Sequence, residues 1–444
     1  VLPRELARPH GGRLNTDFID NSAGVNTSDQ EVNIKIALGP AVRSGKLSGK
    51  DRKALLAAMT ADVAAGSLVN NYQQSLALSL AERRNGRELP DYTLLMHAIE
   101  KRGLFERRLE ALPSDRELDE RGRSGRALTR PELAVLLSYA KIALEHDLRQ
   151  SKVPGEPLLE SWLEAYFPKA LRERFPEGIR SHSLRREIIA TSLTNEIVNR
   201  GGPAMAVRLA DATRRTAAEV ALAFLAVREV FGLQELWRRL DALDGKVRGE
   251  TQLALYAATQ ELVNTETLWL LRNGAAGGSL DGTIARHRAG LAALKPALAD
   301  VLPPRRAAGM EEERRRLEAE GVPADIAAEV AALDVLQDAP AITEIAHESA
   351  SPIPDTGRAY LGLGDRLRIA DLVRKAAAIP TPDYYDRLAV AQALTQLGAS
   401  QGDLARAALR AGAAGELDAW LDRQGARLAR VIATLEEIAA GAAL

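Results

Sequence analysis

The run Leu128-Thr129-Arg130-Pro131-Glu132-Leu133-Ala134-Val135-Leu136-Leu137-Ser138-Tyr139-Ala140-Lys141-Ile142-Ala143-Leu144-Glu145-His146-Asp147-Leu148 decides the fold class. Leu133, Leu136, Leu137, Ala140, Leu144 and Leu148 recur at spacings of three and four, so one helix face can bury all of them. Thr129 and Glu132, three apart, make the capping box that starts such a helix. Other stretches read the same way. A helix is expected from Ser183 to Arg200, stopped by Gly201-Gly202, with Pro203 opening the next. Thr251 to Arg272 and Leu417 to Ala439 are also helical, the latter with Gly425 inside it. Aromatic residues make up only 4% of the chain and β-branched alternation is scarce, so the bulk is expected to be mainly α.

Bulk properties narrow the function classes. A chain of 444 residues has room for about two or three domains. A formal net charge of -1 removes the basic field of a dedicated nucleic-acid binder, so no nucleic-acid partner is expected. The longest apolar stretch, around Ala217 to Val227, carries Glu219 and is too short for a membrane span, so no membrane partner is expected. The absence of cysteine excludes disulfides and thiolate chemistry and fits a reducing, cytoplasmic setting. Arginine and alanine outweigh lysine and isoleucine, as in high-GC bacteria. The opening Val1-Leu2-Pro3 has no Met and no signal-peptide pattern, and reads as a piece of something longer.

The first 38 residues differ from the rest. Pro3, Pro9, Gly11 and Gly12 punctuate a loop. Phe18-Ile19 reads as the end of a buried strand, followed by turn formers from Asp20 to Asn26. Val32, Ile34, Ile36 and Leu38 alternate like a strand, but Ser28 and Glu31 form a Ser-x-x-Glu capping box, and 29–38 is read as helix.

The segment from Gly11 to Lys35, which includes Asn15-Thr16-Asp17-Phe18-Ile19-Asp20-Asn21-Ser22-Ala23-Gly24-Val25-Asn26-Thr27-Ser28, resembles a signature of the large NAD-specific glutamate dehydrogenases. Leu128 to Tyr139 and Thr194-Asn195-Glu196-Ile197-Val198-Asn199-Arg200-Gly201-Gly202 resemble that family's helical region. The first segment is also similar to the Asn-Ala-Gly-Gly-Val-x-x-Ser motif that ends the nucleotide-binding domain of ordinary hexameric glutamate dehydrogenases. This chain has Ser22-Ala23 where that motif has Ala-Gly. The resemblance implies Asn21 and Gly24 as NAD contacts, and Val25 and Ser28 as substrate contacts. It implies no catalytic residue within the chain, because the family's reactive lysines and aspartate are expected upstream of Val1. A metal is not implied: the six histidines never fall in His-x-x-x-His or His-Glu-x-x-His spacing.

The chain is expected to divide into a short remnant of an α/β nucleotide-binding domain (1–38), linking helices (39–127), a helical domain (128–350) and, after the turn-rich break at Ser351 to Gly357, a carboxy-terminal helical subdomain (351–444). The function the resemblance implies is part of an NAD-dependent glutamate dehydrogenase, with L-glutamate and 2-oxoglutarate as substrate and product and a homo-oligomeric whole. The alternative is a non-enzymatic helical scaffold or adaptor. The plainer readings of single residues stand beside these: Ser28 as a helix cap, Asn21 and Gly24 as turn residues. Gly362-Leu363-Gly364 reads as a helix-start turn, since no βαβ frame surrounds it. Glu311 to Arg316 reads as a solvated, ion-paired face. Arg121, Arg123 and Arg126 read as a basic solvent loop. The four tryptophans read as core anchors.

Overall fold

A computed structural model describes residues 14–274, 278–379 and 384–440. Among them every regular element is helical, and the chain divides into two compact units. The first holds α1 (Asp17–Asp20), α2 (Ser22–Arg43), α3 (Gly49–Ala58), α4 (Thr60–Lys101), α5 (Asp115–Arg123), α6 (Arg130–Gln150), α7 (Glu160–Tyr166), α8 (Lys169–Arg174), α9 (Pro176–Arg180) and α10 (Arg185–Glu196). A π turn, Ile197–Gly201, and α11 (Met205–Thr213) complete that run. The division falls inside α12 (Ala217–Phe231) and again inside α14 (Gly249–Asn273). The second unit holds α13 (Leu233–Asp241), α15 (Leu280–Val301), α16 (Pro304–Ala319), α17 (Ala324–Leu336), α18 (Ala339–Ser349), α19 (Ile353–Arg366), α20 (Ile369–Ala378), α21 (Tyr384–Arg410), α22 (Leu417–Arg423) and α23 (Ala426–Ala440).

The first unit is built on α4 and α6. The stripe Ala77, Ala81, Asn85, Leu89, Tyr92, Met96 and Ile99 of α4 is buried at helical spacing. All six residues of the expected α6 stripe are buried too, and each fully buried leucine contributes about 1.5–3 kcal/mol. Thr129 is the N-cap of α6, and its backbone N–H donates to Glu132 at 2.6 Å. The polar Asn85 has a specific task. Its Nδ2 donates to the Leu128 carbonyl at 2.5 Å and its Oδ1 accepts from the Leu128 N–H at 3.3 Å, so it pairs both backbone groups where the chain enters α6. Arg121 is buried at the end of α5, in a two-pronged pair with the buried Glu132 at 2.9 and 3.0 Å. The solvent-loop reading of Arg121 is thereby corrected: a guanidinium reaches inward because Glu132 supplies the matching carboxylate. Lys141 is the exception to this pairing. Its Nζ is enclosed with no partner among the described residues, and burial pushes the amine down to about 7.

In the second unit α15, α18, α19 and α21 pack on one another, and α16 pairs with α17. A Cβ on Gly290 of α15 would lie 2.0 Å from Thr343 Oγ1 of α18, so only glycine permits this crossing. The ion-paired face on α16 is as expected: Glu311 holds Arg314 at 2.6 Å and Arg315 at 2.7 Å, and Glu313 holds Arg316 at 2.7 Å. The Arg314 guanidinium holds the Glu311 carboxyl far down, to about 2. Glu266 of α14 is buried, and its Oε2 has no partner among the described residues. Burial, with the Asp338 carboxylate as a smaller contributor, pushes its carboxyl well up.

Several local expectations change. Phe18 and Ile19 lie in the helical turn α1, not in a strand, and only Asn21 of the stretch 20–26 is a turn. The helix expected over 29–38 exists but starts earlier, at Ser22. Ser28 therefore lies inside α2 and caps nothing; Glu31 instead pairs with Lys35 at 2.5 Å. Alternation at Val32, Ile34, Ile36 and Leu38 misleads because Ile34 and Leu38, four apart, are the buried pair. Gly362 and Gly364 lie within α19 rather than at its start, and a Cβ on Gly364 would meet Gln401 Nε2 at 2.7 Å. Gly425, with φ +87°, breaks the expected last helix in two. Trp237 and Trp420 are buried, while Trp162 and Trp269 are half-buried. No helix among the described residues is long and apolar enough to cross a membrane.

Candidate functional site

Helix α2 carries all the residues singled out for ligand contact except Asn21, which immediately precedes it. Its inner face is fastened along α4 by side chains. Asn71 Nδ2 donates to the Ile19 carbonyl and to Ser22 Oγ, both at 2.8 Å. Asn70 Nδ2 donates to Asn26 Oδ1 at 3.1 Å, and the Thr27 hydroxyl lies 3.0 Å from the buried Ser67 hydroxyl. Just before α1, Asn15 Oδ1 accepts from Arg130 Nε at 2.7 Å, while the same guanidinium donates to Ser79 Oγ and the Ser75 carbonyl of α4, each at 3.1 Å. One arginine thus joins the segment leading into the site to both α4 and α6.

The far end of α2 is clamped by the α7–α10 region. A Cβ on Gly178 would lie 2.2 Å from the Ala37 carbonyl oxygen, so α9 crosses α2 at backbone contact. Asn33 Nδ2 donates to the Tyr166 hydroxyl at 2.9 Å. The Leu184 N–H donates to His182 Nδ1 at 3.0 Å, which leaves the proton on Nε2 to face the Asn33 carbonyl at 3.1 Å. Burial lowers the His182 pKa, so the ring is held neutral in this tautomer; burial also raises that of Tyr166.

The outer face of α2 is free. Asn21, Val25, Ser28 and Val32 follow one another at four, three and four residues, which places them on one helix face. All four are exposed, Val25 by 58% and Val32 by 50%, figures far above those of the core valines. Phe18, 47% exposed, adjoins them on α1. The structure therefore brings Asn21, Val25 and Ser28 onto one surface. Gly24 lies beside Asn21: a Cβ there would stand 2.7 Å from Asn21 Oδ1. Asn21 occupies the N-cap position without a side-chain cap bond, and the first turn of α2 has no acidic residue. This helix start keeps its positive end and its first N–H groups available to an anion.

Sequence reasoning missed the fastening residues Ser67, Asn70, Asn71 and Arg130. Two adjacent asparagines inside a helical run were the available signal, since such residues are poor in helix interiors unless their amides have partners. The π turn at Ile197–Gly201 was also missed, and Gly202, at φ +103°, ends it.

Comparison with known proteins places this geometry in context. The family model described as "Glutamate dehydrogenase, C-terminal" matches residues 125–444, and that described as "Bacterial NAD-glutamate dehydrogenase, catalytic domain" matches residues 4–81. The chain is 39% identical over 383 residues to an NAD-specific glutamate dehydrogenase of Pseudomonas aeruginosa, covering 86% of this chain and 24% of that protein. It is 36% identical over 385 residues to the protein of the same name from Halomonas elongata, covering 86% and 24%. A Mycobacterium tuberculosis protein, again named NAD-specific glutamate dehydrogenase, is 33% identical over 443 residues, covering 97% and 27%. The chain thus spans about a quarter of the length of these curated relatives.

Proposed function

The chain belongs to the glutamate dehydrogenase C-terminal family, and from that premise we propose that it works as part of a bacterial NAD-dependent glutamate dehydrogenase, contributing one wall of the active site and a large helical body. The reaction is oxidative deamination, a step of amino-acid catabolism. A hydride leaves the α-carbon of L-glutamate, the resulting iminium takes up water, and ammonium departs to leave 2-oxoglutarate. NAD, when bound, supplies the hydride acceptor.

The observation that carries this reading is the outward face of α2. Asn21, Val25 and Ser28 are exposed on one surface inside the stretch matched by the catalytic-domain model. An amide at Asn21 offers donors and an acceptor to the nicotinamide ribose. Gly24 leaves room for that amide to lie against the helix. Val25 supplies an apolar wall for the methylenes of glutamate, and the Ser28 hydroxyl a donor for its carboxylate. The uncapped start of α2 favours negative charge in the same place. No residue of this surface is a proton shuttle, so the reactive acid–base groups belong to other parts of the whole enzyme. The helical body beyond about residue 130 scaffolds a homo-oligomer or relays regulation to the cleft, and the whole functions in the cytoplasm.

Steady-state kinetics on the whole enzyme test the reading. Val25→Ala and Ser28→Ala raise the KM for glutamate about tenfold, a loss of about 1.4 kcal/mol, and Asn21→Ala does the same for NAD. Because these side chains are exposed, thermal stability changes little. The 444-residue chain alone forms no NADH from glutamate. Unchanged kinetic constants in all three variants, or turnover by the isolated chain, overturn the assignment.

A further inference from the structure

A second site lies in the first unit, away from the α2 surface. A cavity of about 450 Å³ opens between the carboxy-terminal end of α4, the middle of α6, the π turn and the start of α11. This volume falls in the range of small-molecule pockets. Its floor is apolar and made of small or branched residues, among them Leu94, Ala98, Ala140, Leu144, Val198 and Ala210.

The rim is charged, and most of its charges cancel. Arg102 pairs with Asp147 at 2.7 Å and Asp211 lies 3.9 Å from Arg214, while the His97 ring, 2.9 Å from Asp115, carries charge only when protonated. Lys101 has no ion-pair or hydrogen-bond partner among the described residues, and it lines the opening. Ala206 and Val207, in the first turn of α11, line it as well. That helix has no side-chain cap and no acidic residue in its first turn. Its leading N–H groups are donors without intrahelical acceptors, at the positive end of the helix dipole. The Met205 N–H is taken by the Gly202 carbonyl at 3.2 Å, so an unpaired cation and the next N–H groups, of Ala206 and Val207, stand at the mouth of an apolar chamber. The alanines make the chamber: larger side chains at the same positions would fill it.

We propose that this cavity binds a small carboxylate with a branched or short-chain apolar body, the hydrocarbon on the alanine-lined floor and the carboxylate at Lys101 and the start of α11. The site is independent of the α2 surface, and its occupancy does not depend on dehydrogenase activity. A ligand there touches α4, α6, the π turn and α11 together, so binding stabilises the first unit in proportion to occupancy.

Calorimetry and thermal shift on the 444-residue chain, with 4-methylpentanoate as probe, decide the matter. Saturable binding with a Kd on the order of 1 mM is expected, with 4-methylpentanamide and acetate each at least tenfold weaker. Lys101→Gln weakens carboxylate binding about fivefold or more, and Ala210→Phe, which fills the chamber, abolishes it. Lys101 is exposed, so its replacement leaves the fold intact and decides the question even if Ala210→Phe does not fold. Absence of saturable binding, equal affinity for acid and amide, or full affinity in Lys101→Gln overturns the proposal.

Discussion

Lys141 shows how much one enclosed charge can weigh. In the folded chain its amine titrates at about 7, against an ordinary 10.5. Between those values the unfolded chain binds a proton that the folded chain refuses. Stability therefore rises with pH across that window, and the cost is complete below it. Lys141→Met removes the cost and keeps the stem volume. At pH 7 the variant should be more stable by roughly 2–4 kcal/mol, with the gain fading toward pH 10.5, as read by denaturant melts. A gain independent of pH would show that desolvation of the amine is not the cause. Arg121 makes the opposite case: it is buried but matched by Glu132 in two hydrogen bonds, and its burial is compensated.

At the scale of the element, close crossings set the geometry. Gly290 brings α15 against Thr343 of α18, and Gly178 brings α9 against the Ala37 carbonyl of α2. Gly290→Ala should destabilise the second unit by about 1–3 kcal/mol despite the better helix propensity of alanine, because its methyl collides with Thr343. Thr343→Ala should recover part of that loss, and a double-mutant cycle read by chemical denaturation would reveal the coupling. Additive effects would show that the two helices do not meet there. Such crossings explain which elements were legible in sequence. Leu133 to Leu148 of α6 could be read because a stripe buried at a regular period is a local property. Phe18-Ile19 and Ser28 were misread because their state depends on partners far along the chain: Asn71 for Ile19 and Ser22, and Ser67 for Thr27. The surface of Asn21, Val25 and Ser28 was found only through resemblance, since exposure of a helix face leaves no periodic mark beyond polarity, and two valines on it break that mark.

At the scale of the whole molecule, Lys141 and Glu266 are both shifted by burial, and the two respond to pH with opposite sign. Lys141 lies in the first unit and Glu266 in the second. Burial raises the Glu266 carboxyl above its ordinary 4.5, so the folded chain keeps a proton that the unfolded chain releases. Its contribution is full below that value and is lost as pH climbs through the raised folded pKa. Glu266→Gln should therefore raise the unfolding midpoint of the second unit more at pH 8 than at pH 5, by about 1–3 kcal/mol, with protection measured by hydrogen exchange. Equal effects at both pH values would place the proton elsewhere. Within the first unit, α4 alone runs from Asn71, which grips Ile19 and Ser22, to the lysine at the cavity mouth. Thirty residues of α-helix measure about 45 Å. Pro90 lies within that length and leaves one helical hydrogen bond unmade, so the rod has a built-in bending point between the cavity and the turn at Asn21.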